Sequence, residues 1–327
     1  MATKEPLVIT DKHEMRKWSR AMKSQGKTIG FVPTMGYLHQ GHISLVREAQ
    51  HHSDLIVVSI YVNPGQFSPT EDLSTYPSNF RGDIEQLMAI PGGVDVVFHP
   101  HNLYHYGPTN QSVDSGGDKG LDRKGTGVVS CVEDSGFGHE TWVRVENLEK
   151  GMCGESRPVF FRGVATIVTK LFNIVEPDFA VFGKKDYQQW RLIQRMVRDL
   201  DFSIKVIGSE IVRDDDGLAM SSRNVHLSPE QRKQALSINK SLSRARIAAE
   251  KGHVNCKELI DMVIKAIHEA GGKVDYAEVT PKIKIVDQES LKDVEEITSP
   301  VVFCVAAWFG KVRLIDNMEI FIRNGDL

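Results

Sequence analysis

The segment Met35-Gly36-Tyr37-Leu38-His39-Gln40-Gly41-His42 sets two imidazoles close together between a predicted strand and a predicted helix. Gly36 and Gly41 let the backbone approach a ligand, and a helix start offers unpaired N–H groups and a positive dipole. Histidines at a helix mouth can simply cap it. The His39-Gln40-Gly41-His42 spacing directly after a strand points instead to a loop that receives a triphosphate. His51 and His52, at the polar end of the same helix, read as a solvated face.

Asn63-Pro64-Gly65-Gln66-Phe67 closes the next apolar run. In an open α/β sheet ligands gather beyond the strand C-termini, so Gln66 should face the same crevice, its amide suited to a carboxylate or hydroxyl. A plain Asn-Pro-Gly turn is the competing reading. Gly183-Lys184-Lys185-Asp186-Tyr187-Gln188-Gln189 repeats the strand, glycine turn, helix grammar. Cations at a helix N-terminus oppose its dipole and cost stability unless an anion is bound. Lys185 is therefore expected on phosphate and Asp186 on a ribose hydroxyl, with Gln189 on the same helix face. Met220-Ser221-Ser222-Arg223 places two hydroxyls before a guanidinium, a compact phosphate clamp. The preceding Asp214-Asp215-Asp216-Gly217 reads as a turn rather than a metal site.

The elements that must hold these segments follow from periodicity. Asp11 with Glu14 starts a helix, Thr28 to Pro33 is a short strand, and Ile43, Leu45, Val46 and Ala49 form the apolar stripe of the next helix. Leu55 to Val62 is nearly continuously apolar and β-branched, as in a parallel strand covered on both faces. Alternation continues with a helix near Gly82–Ala89, a strand Val94–Phe98, a helix Val164–Val175, a strand Phe179–Phe182 and a helix Asp186–Leu200. In that last helix Leu192, Ile193, Met196, Val197 and Leu200 share one face. Repeated βα units imply an α/β, Rossmann-like, doubly wound parallel sheet. After Ile211 the pattern changes to a helix capped by Ser228 with Pro229 first, a helix near Lys257–Ala270, and strands Val274–Val279, Val301–Ala307 and Lys311–Ile315. The last two are too close for a helical crossover and should be antiparallel. The expected division is a catalytic domain over residues 1–211 and a smaller α+β lid over 212–327. Residues 107–140, with eight glycines, read as an inserted mobile surface loop.

Composition bounds the function. The 327 residues carry 40 Lys plus Arg against 43 Asp plus Glu, a net charge of -3, so general nucleic-acid binding is not expected and any phosphate needs a local cluster. Cys131, Cys153, Cys256 and Cys304 lack metal or disulfide spacing and suit reduced thiols in a cytosolic compartment. Residues 1–6 lead into no signal-like apolar region, and Val301 to Phe309 is far short of the ~20 apolar residues of a membrane span.

Together, His39-Gln40-Gly41-His42 and Met220-Ser221-Ser222-Arg223 resemble the paired signatures of the HIGH-type nucleotidyltransferase superfamily. With Asn63–Phe67 and Gly183–Gln189 the chain resembles the pantothenate synthetase (pantoate–β-alanine ligase) family from about Thr28 to Asn317, and its insertion is similar to that of plant members. The resemblance implies ATP binding by Met35 to His42, Gly183, Lys184, Lys185, Asp186, the backbone of Val212, and Met220 to Arg223. It further implies His42 as proton donor, with His39, Lys185 and Arg223 also catalytic. Gln66 and Gln189 would hold pantoate, Gln66 would also meet β-alanine, and Tyr76 would lie beside the pocket. Mg²⁺ would arrive on the ATP phosphates rather than in a protein metal site, and a homodimer is implied. Val159 and Phe160 depart from the bacterial pattern, which often has Gly or Thr, then His. A dinucleotide-forming adenylyltransferase would share the histidine loop, but Gln66 with Gln189 disfavours it. An inactive nucleotide-binding regulator would not need the intact histidines, Lys185 and Arg223.

Overall fold

The computed structural model describes residues 5–68, 71–106, 139–277, 280–281 and 283–321. The expected glycine-rich insertion, apart from residues 139 and 140, and Cys131 lie outside the described residues.

The first part of the chain runs β1 (Leu7–Ile9), α1 (Lys12–Lys23), β2 (Ile29–Thr34), α2 (Gln40–Gln50), β3 (Leu55–Ile60), α3 (Phe80–Met88), β4 (Val96–Phe98), α4 (Met152–Ser156), α5 (Phe160–Val175), β5 (Phe179–Gly183), α6 (Tyr187–Asp199) and β6 (Lys205–Ser209). The six strands pair in parallel in the order β1-β4-β3-β2-β5-β6. From β2 the chain winds outward through β3 and β4, then returns to the other side through β5 and β6. A crevice opens where that direction reverses, outside the C-terminal ends of β2 and β5. The central strands β2 and β3 are buried almost throughout, which explains their unbroken apolar runs. Helix α5 is apolar on nearly every side and packs under the sheet, Phe172 against Phe31 and Phe182.

Two sequence expectations change here. The leading strand β1 has no counterpart among the predicted elements, since three residues at a sheet edge, with Leu7 and Val8 exposed, show no period. Leu200 does not join the apolar face of α6: the helix ends at Asp199, Asp201 adopts a positive φ of 52°, and Leu200 is 50% exposed at the cap. Tyr187 and Trp190 supply that buried face instead.

The remainder comprises α7 (Pro229–Glu250), α8 (Cys256–Glu269), β7 (Lys273–Val274), β8 (Tyr276–Ala277), β9 (Thr280–Pro281), β10 (Ile283–Asp287), β11 (Val301–Phe309) and β12 (Val312–Ile320). Ser228 caps α7 by accepting from the Gln231 N–H, and Gln231 reciprocates. Strands β11 and β12 are antiparallel, as the spacing predicts, and β10, which has no counterpart among the predicted elements, pairs antiparallel with β11. The single strand expected over Val274–Val279 is instead divided: β7 pairs with β11, then the chain leaves that sheet after Asp275 and β8 pairs with β9.

One face of this sheet, with Phe303, Val305, Phe309 and Leu314, packs on α7 and α8. Its other face joins the main core through Val286 and Val302. Strand alternation therefore directs Asn317 and Glu319 toward the start of α6.

Candidate active site

The crevice at the sheet reversal encloses about 250 Å³ and is lined by Met35, His39, His42, Gln66, Lys185 and Arg223 among others. Gly36 (φ 83°) and Tyr37 (φ 51°) form a left-handed pair that turns the chain out of β2. Asp83 on α3, 2% exposed, holds this pair from behind, accepting the N–H groups of Tyr37 (2.9 Å) and Leu38 (2.7 Å). Burial raises the Asp83 pKa despite these bonds. Gln86 donates to the Leu38 carbonyl at 3.0 Å. Met35, His39, Gly41 and His42 reach the crevice, whereas Gly36, Tyr37 and Leu38 shape the turn behind it and Gln40 opens α2. Nothing in the sequence around Asp83 marks its role, because its partners lie 46 and 45 residues upstream.

The capping and ligand-facing readings of the two histidines both hold. His39 Nδ1 accepts the Gly41 N–H at 3.1 Å, and His42 Nδ1 accepts the His39 N–H at 3.3 Å. With both Nδ1 atoms accepting, each neutral ring carries its proton on Nε2. Burial, then Lys185, lowers the His39 pKa to about 4. Burial, then His39 and Lys185, takes His42 to about 3. Both are neutral N–H donors at neutral pH, so neither adds positive charge to the site.

Gln66 ends a 3₁₀ turn (Pro64–Gln66), so the turn reading of Asn63-Pro64-Gly65 is also correct. Asn63 donates to Gln66 Oε1 (2.9 Å) and to the Gly163 carbonyl (3.2 Å), and Gln66 Nε2 lies 3.4 Å from Met35 Sδ. Helix α5 approaches so closely that a Cβ at Gly163 would stand 2.1 Å from the Gly65 carbonyl oxygen. Phe160, Val164, Ile167, Val168 and Phe182 make the adjoining wall apolar. Val159 and Phe160, the departures from the bacterial pattern, sit at the start of α5, where the Arg157 guanidinium lies 3.8 Å from the Phe160 ring centre.

Lys185, Asp186 and Gln189 line the crevice together. Asp186 ends a 3₁₀ turn (Lys184–Asp186) rather than lying within α6. Lys184 does not gather with Lys185 as expected. Its ammonium pairs with Glu210 (2.5 Å) and Glu319 (3.0 Å), carboxylates contributed from beyond the motif. Gly183, Lys185 and Asp186 line the crevice on either side of Lys184.

Val212 lines the crevice, and its carbonyl accepts the Met220 N–H at 3.0 Å. The intervening turn is tied by Arg232 to Asp214 (2.8 Å) and Asp216 (2.9 Å). Ser221 Oγ accepts the Arg223 N–H at 3.3 Å, and Ser222 Oγ is 3.4 Å from the hydroxyl of the buried Tyr76. Arg223 is already engaged: its Nε and Nη2 donate to the two oxygens of Asp72, each at 3.1 Å. Arg157, which sequence reasoning does not single out, lines the same crevice and pairs with Glu71. Among the described residues no group of three or more His, Cys, Asp or Glu side chains could hold a metal ion, and no helix is long and apolar enough to cross a membrane.

A parallel sheet in this order, with imidazoles on one side of its reversal and a lysine turn on the other, defines an α/β nucleotide-binding enzyme. A sequence model of the Pantoate-beta-alanine ligase family matches residues 7–319, so the chain belongs to that family. It is 70% identical to a pantoate–β-alanine ligase of Lotus japonicus over 316 residues, covering 96% of this chain and 99% of the relative. Identity to the Arabidopsis thaliana ligase is 66%, covering 97% and 98%. The crystal structure of pantothenate synthetase from Thermus thermophilus superposes with a TM-score of 0.79 at 35% identity, covering 96% of this chain and 99% of that one. The Francisella tularensis ligase, solved with Beta-gamma ATP and β-alanine, gives a TM-score of 0.67 at 30% identity, covering 96% and 97%.

Proposed function

We propose that this crevice joins pantoate to the amine of β-alanine at the expense of ATP, releasing AMP and pyrophosphate. The observation that carries the reading is the apposition, across the sheet reversal, of two Nε2–H imidazoles and Lys185 with the amide of Gln66 beside an apolar wall. A carboxylate is a poor acceptor for an amine. The pantoate carboxylate oxygen therefore attacks the ATP α-phosphorus, the bond to pyrophosphate breaks, and the amine then displaces AMP from the mixed anhydride, losing a proton as the amide forms.

Gln66 and Gln189 orient pantoate, with its methyl groups toward Phe160, Val164 and Val168, where water is excluded from the acyl adenylate. Negative charge grows on the α-phosphoryl and pyrophosphate oxygens. Lys185, Arg223 and the Nε2–H groups of His39 and His42 stabilise it from fixed positions. The helix start at Gly41, the turn Gly183–Asp186, the Val212 backbone and Met220–Ser222 complete the nucleotide site, with Tyr76 packed beside Ser222. Mg²⁺ would come held by the ATP phosphates, since among the described residues no group of three or more His, Cys, Asp or Glu side chains could hold it, and there it would neutralise phosphate charge. A catalytic part over residues 1–211, a lid over 212–327, a homodimer and a cytosolic location belong to the same reading.

Pantoate-dependent exchange of labelled pyrophosphate into ATP, followed by AMP release only when β-alanine is added, tests the two half-reactions. Exchange without pantoate, or a dinucleotide product, would sink the reading.

A further inference from the structure

We infer that Asn317, on β12, is a positioning residue for Lys185. Asn317 is 5% exposed and spends both amide hydrogens on the lysine turn: Nδ2 donates to the carbonyls of Lys184 (2.8 Å) and Lys185 (2.9 Å). Neither that turn nor the start of α6 has a side-chain cap on its N–H groups, and Asn317 holds the turn from its carbonyl side. The two lysines differ in a telling way. Lys184 is fixed through its ammonium by Glu210 and Glu319, and the Tyr187 hydroxyl donates to the same Glu319 at 3.3 Å. Lys185 has a looser contact, 3.7 Å to the adjacent Asp186, so the direction of its side chain is governed by the backbone that Asn317 grips.

The neighbouring Asp316 extends the arrangement. It faces the opposite side of β12 and forks Arg213 at 2.6 and 2.8 Å, while its Oδ1 accepts the Asn317 N–H at 2.8 Å. Arg213 in turn donates to the Gly217 carbonyl at 3.2 Å, in the turn that leads to Met220–Arg223. Two consecutive residues of one strand thus connect the lysine turn with the serine-arginine segment, and the second sheet sets the spacing between them.

The inference rests on Lys185 acting in adenylation. Single-turnover formation of the acyl adenylate should be measured for Asn317→Ala, Lys185→Ala and the double variant, with thermal melts and the KM for β-alanine. The milder Asn317→Ser serves where the alanine variant melts below the assay temperature. Asn317→Ala is expected to slow adenylation on the order of tenfold or more while leaving the KM for β-alanine unchanged. In the Lys185→Ala background the same change should cost less than about twofold, because both substitutions remove one effect. A wild-type rate for folded Asn317 variants, or full additivity, overturns the positioning role. A wild-type rate for Lys185→Ala overturns the reading beneath it.

Discussion

Replacing Asp72 by Asn should tighten ATP binding. Arg223 lines the crevice, but its guanidinium is forked by Asp72 at 3.1 Å through two donors. At an effective dielectric of about 20, unit charges at that separation attract by roughly 5 kcal/mol. The side chains are 32% and 39% exposed, so solvent screening reduces the net value to about 1 kcal/mol. Burial alone raises the Asp72 pKa, but the hydrogen bond and charge of Arg223 reverse this and hold it below its usual range, so the carboxylate is fully ionised at neutral pH. An arriving phosphate therefore meets a cation whose field is largely cancelled. Asp72→Asn keeps the shape and removes the charge, and the dissociation constant for ATP should fall by roughly fivefold, less at high salt. Calorimetric titration with ATP in the absence of pantoate reads this directly. Weaker binding by the folded variant would refute the argument and make Asp72 a support that Arg223 requires; unchanged affinity would mean that the guanidinium does not meet the nucleotide.

Other consequences are equally concrete. Lys185→Ala should lower pantoate-dependent ATP–pyrophosphate exchange on the order of 100-fold or more while leaving the melting temperature near wild type, since one cation about 4 Å from phosphate is worth roughly 4 kcal/mol; near wild-type exchange would remove Lys185 from the mechanism. Gly163→Ala places a methyl 2.1 Å from the Gly65 carbonyl, so α5 or the Gln66 turn must shift, and the KM for pantoate should rise with a loss of roughly 1–3 kcal/mol in stability by urea titration. The folded His39 takes up its proton only near pH 4, whereas the unfolded chain does so near 6.5. Stability present above pH 6.5 is therefore lost as pH falls toward 4, by about 3 kcal/mol for this residue. A ring resonance for His39 titrating near 6.5 in the folded protein would contradict that. ATP, bringing negative charge to both rings, should raise their pKa values, and binding near pH 5 should be accompanied by proton uptake.

Much of the molecule is legible without coordinates where the signal is local. Ser228 capping, the burial of β3 and the antiparallel return at the end of the chain follow from short-range rules, and each appears as read. The failures share a cause. Leu200 fits a helical period that the chain abandons one residue earlier, and Lys184 looks identical to Lys185 until Glu210 and Glu319 arrive from elsewhere. Asp83 and Asn317 carry no motif because each acts on backbone groups distant in sequence.

By itself, then, the sequence determines the βα order, the crevice-forming turns and the residue types that can meet a polyphosphate, because strand and helix periods and turn chemistry are properties of neighbouring residues. Tertiary structure decides which of those residues are available and in what state. It makes His39 and His42 neutral through burial, turns Lys184 away, and occupies Arg223 with a carboxylate 151 residues distant. Charge state and side-chain engagement depend on burial and on partners that only the folded chain brings within reach.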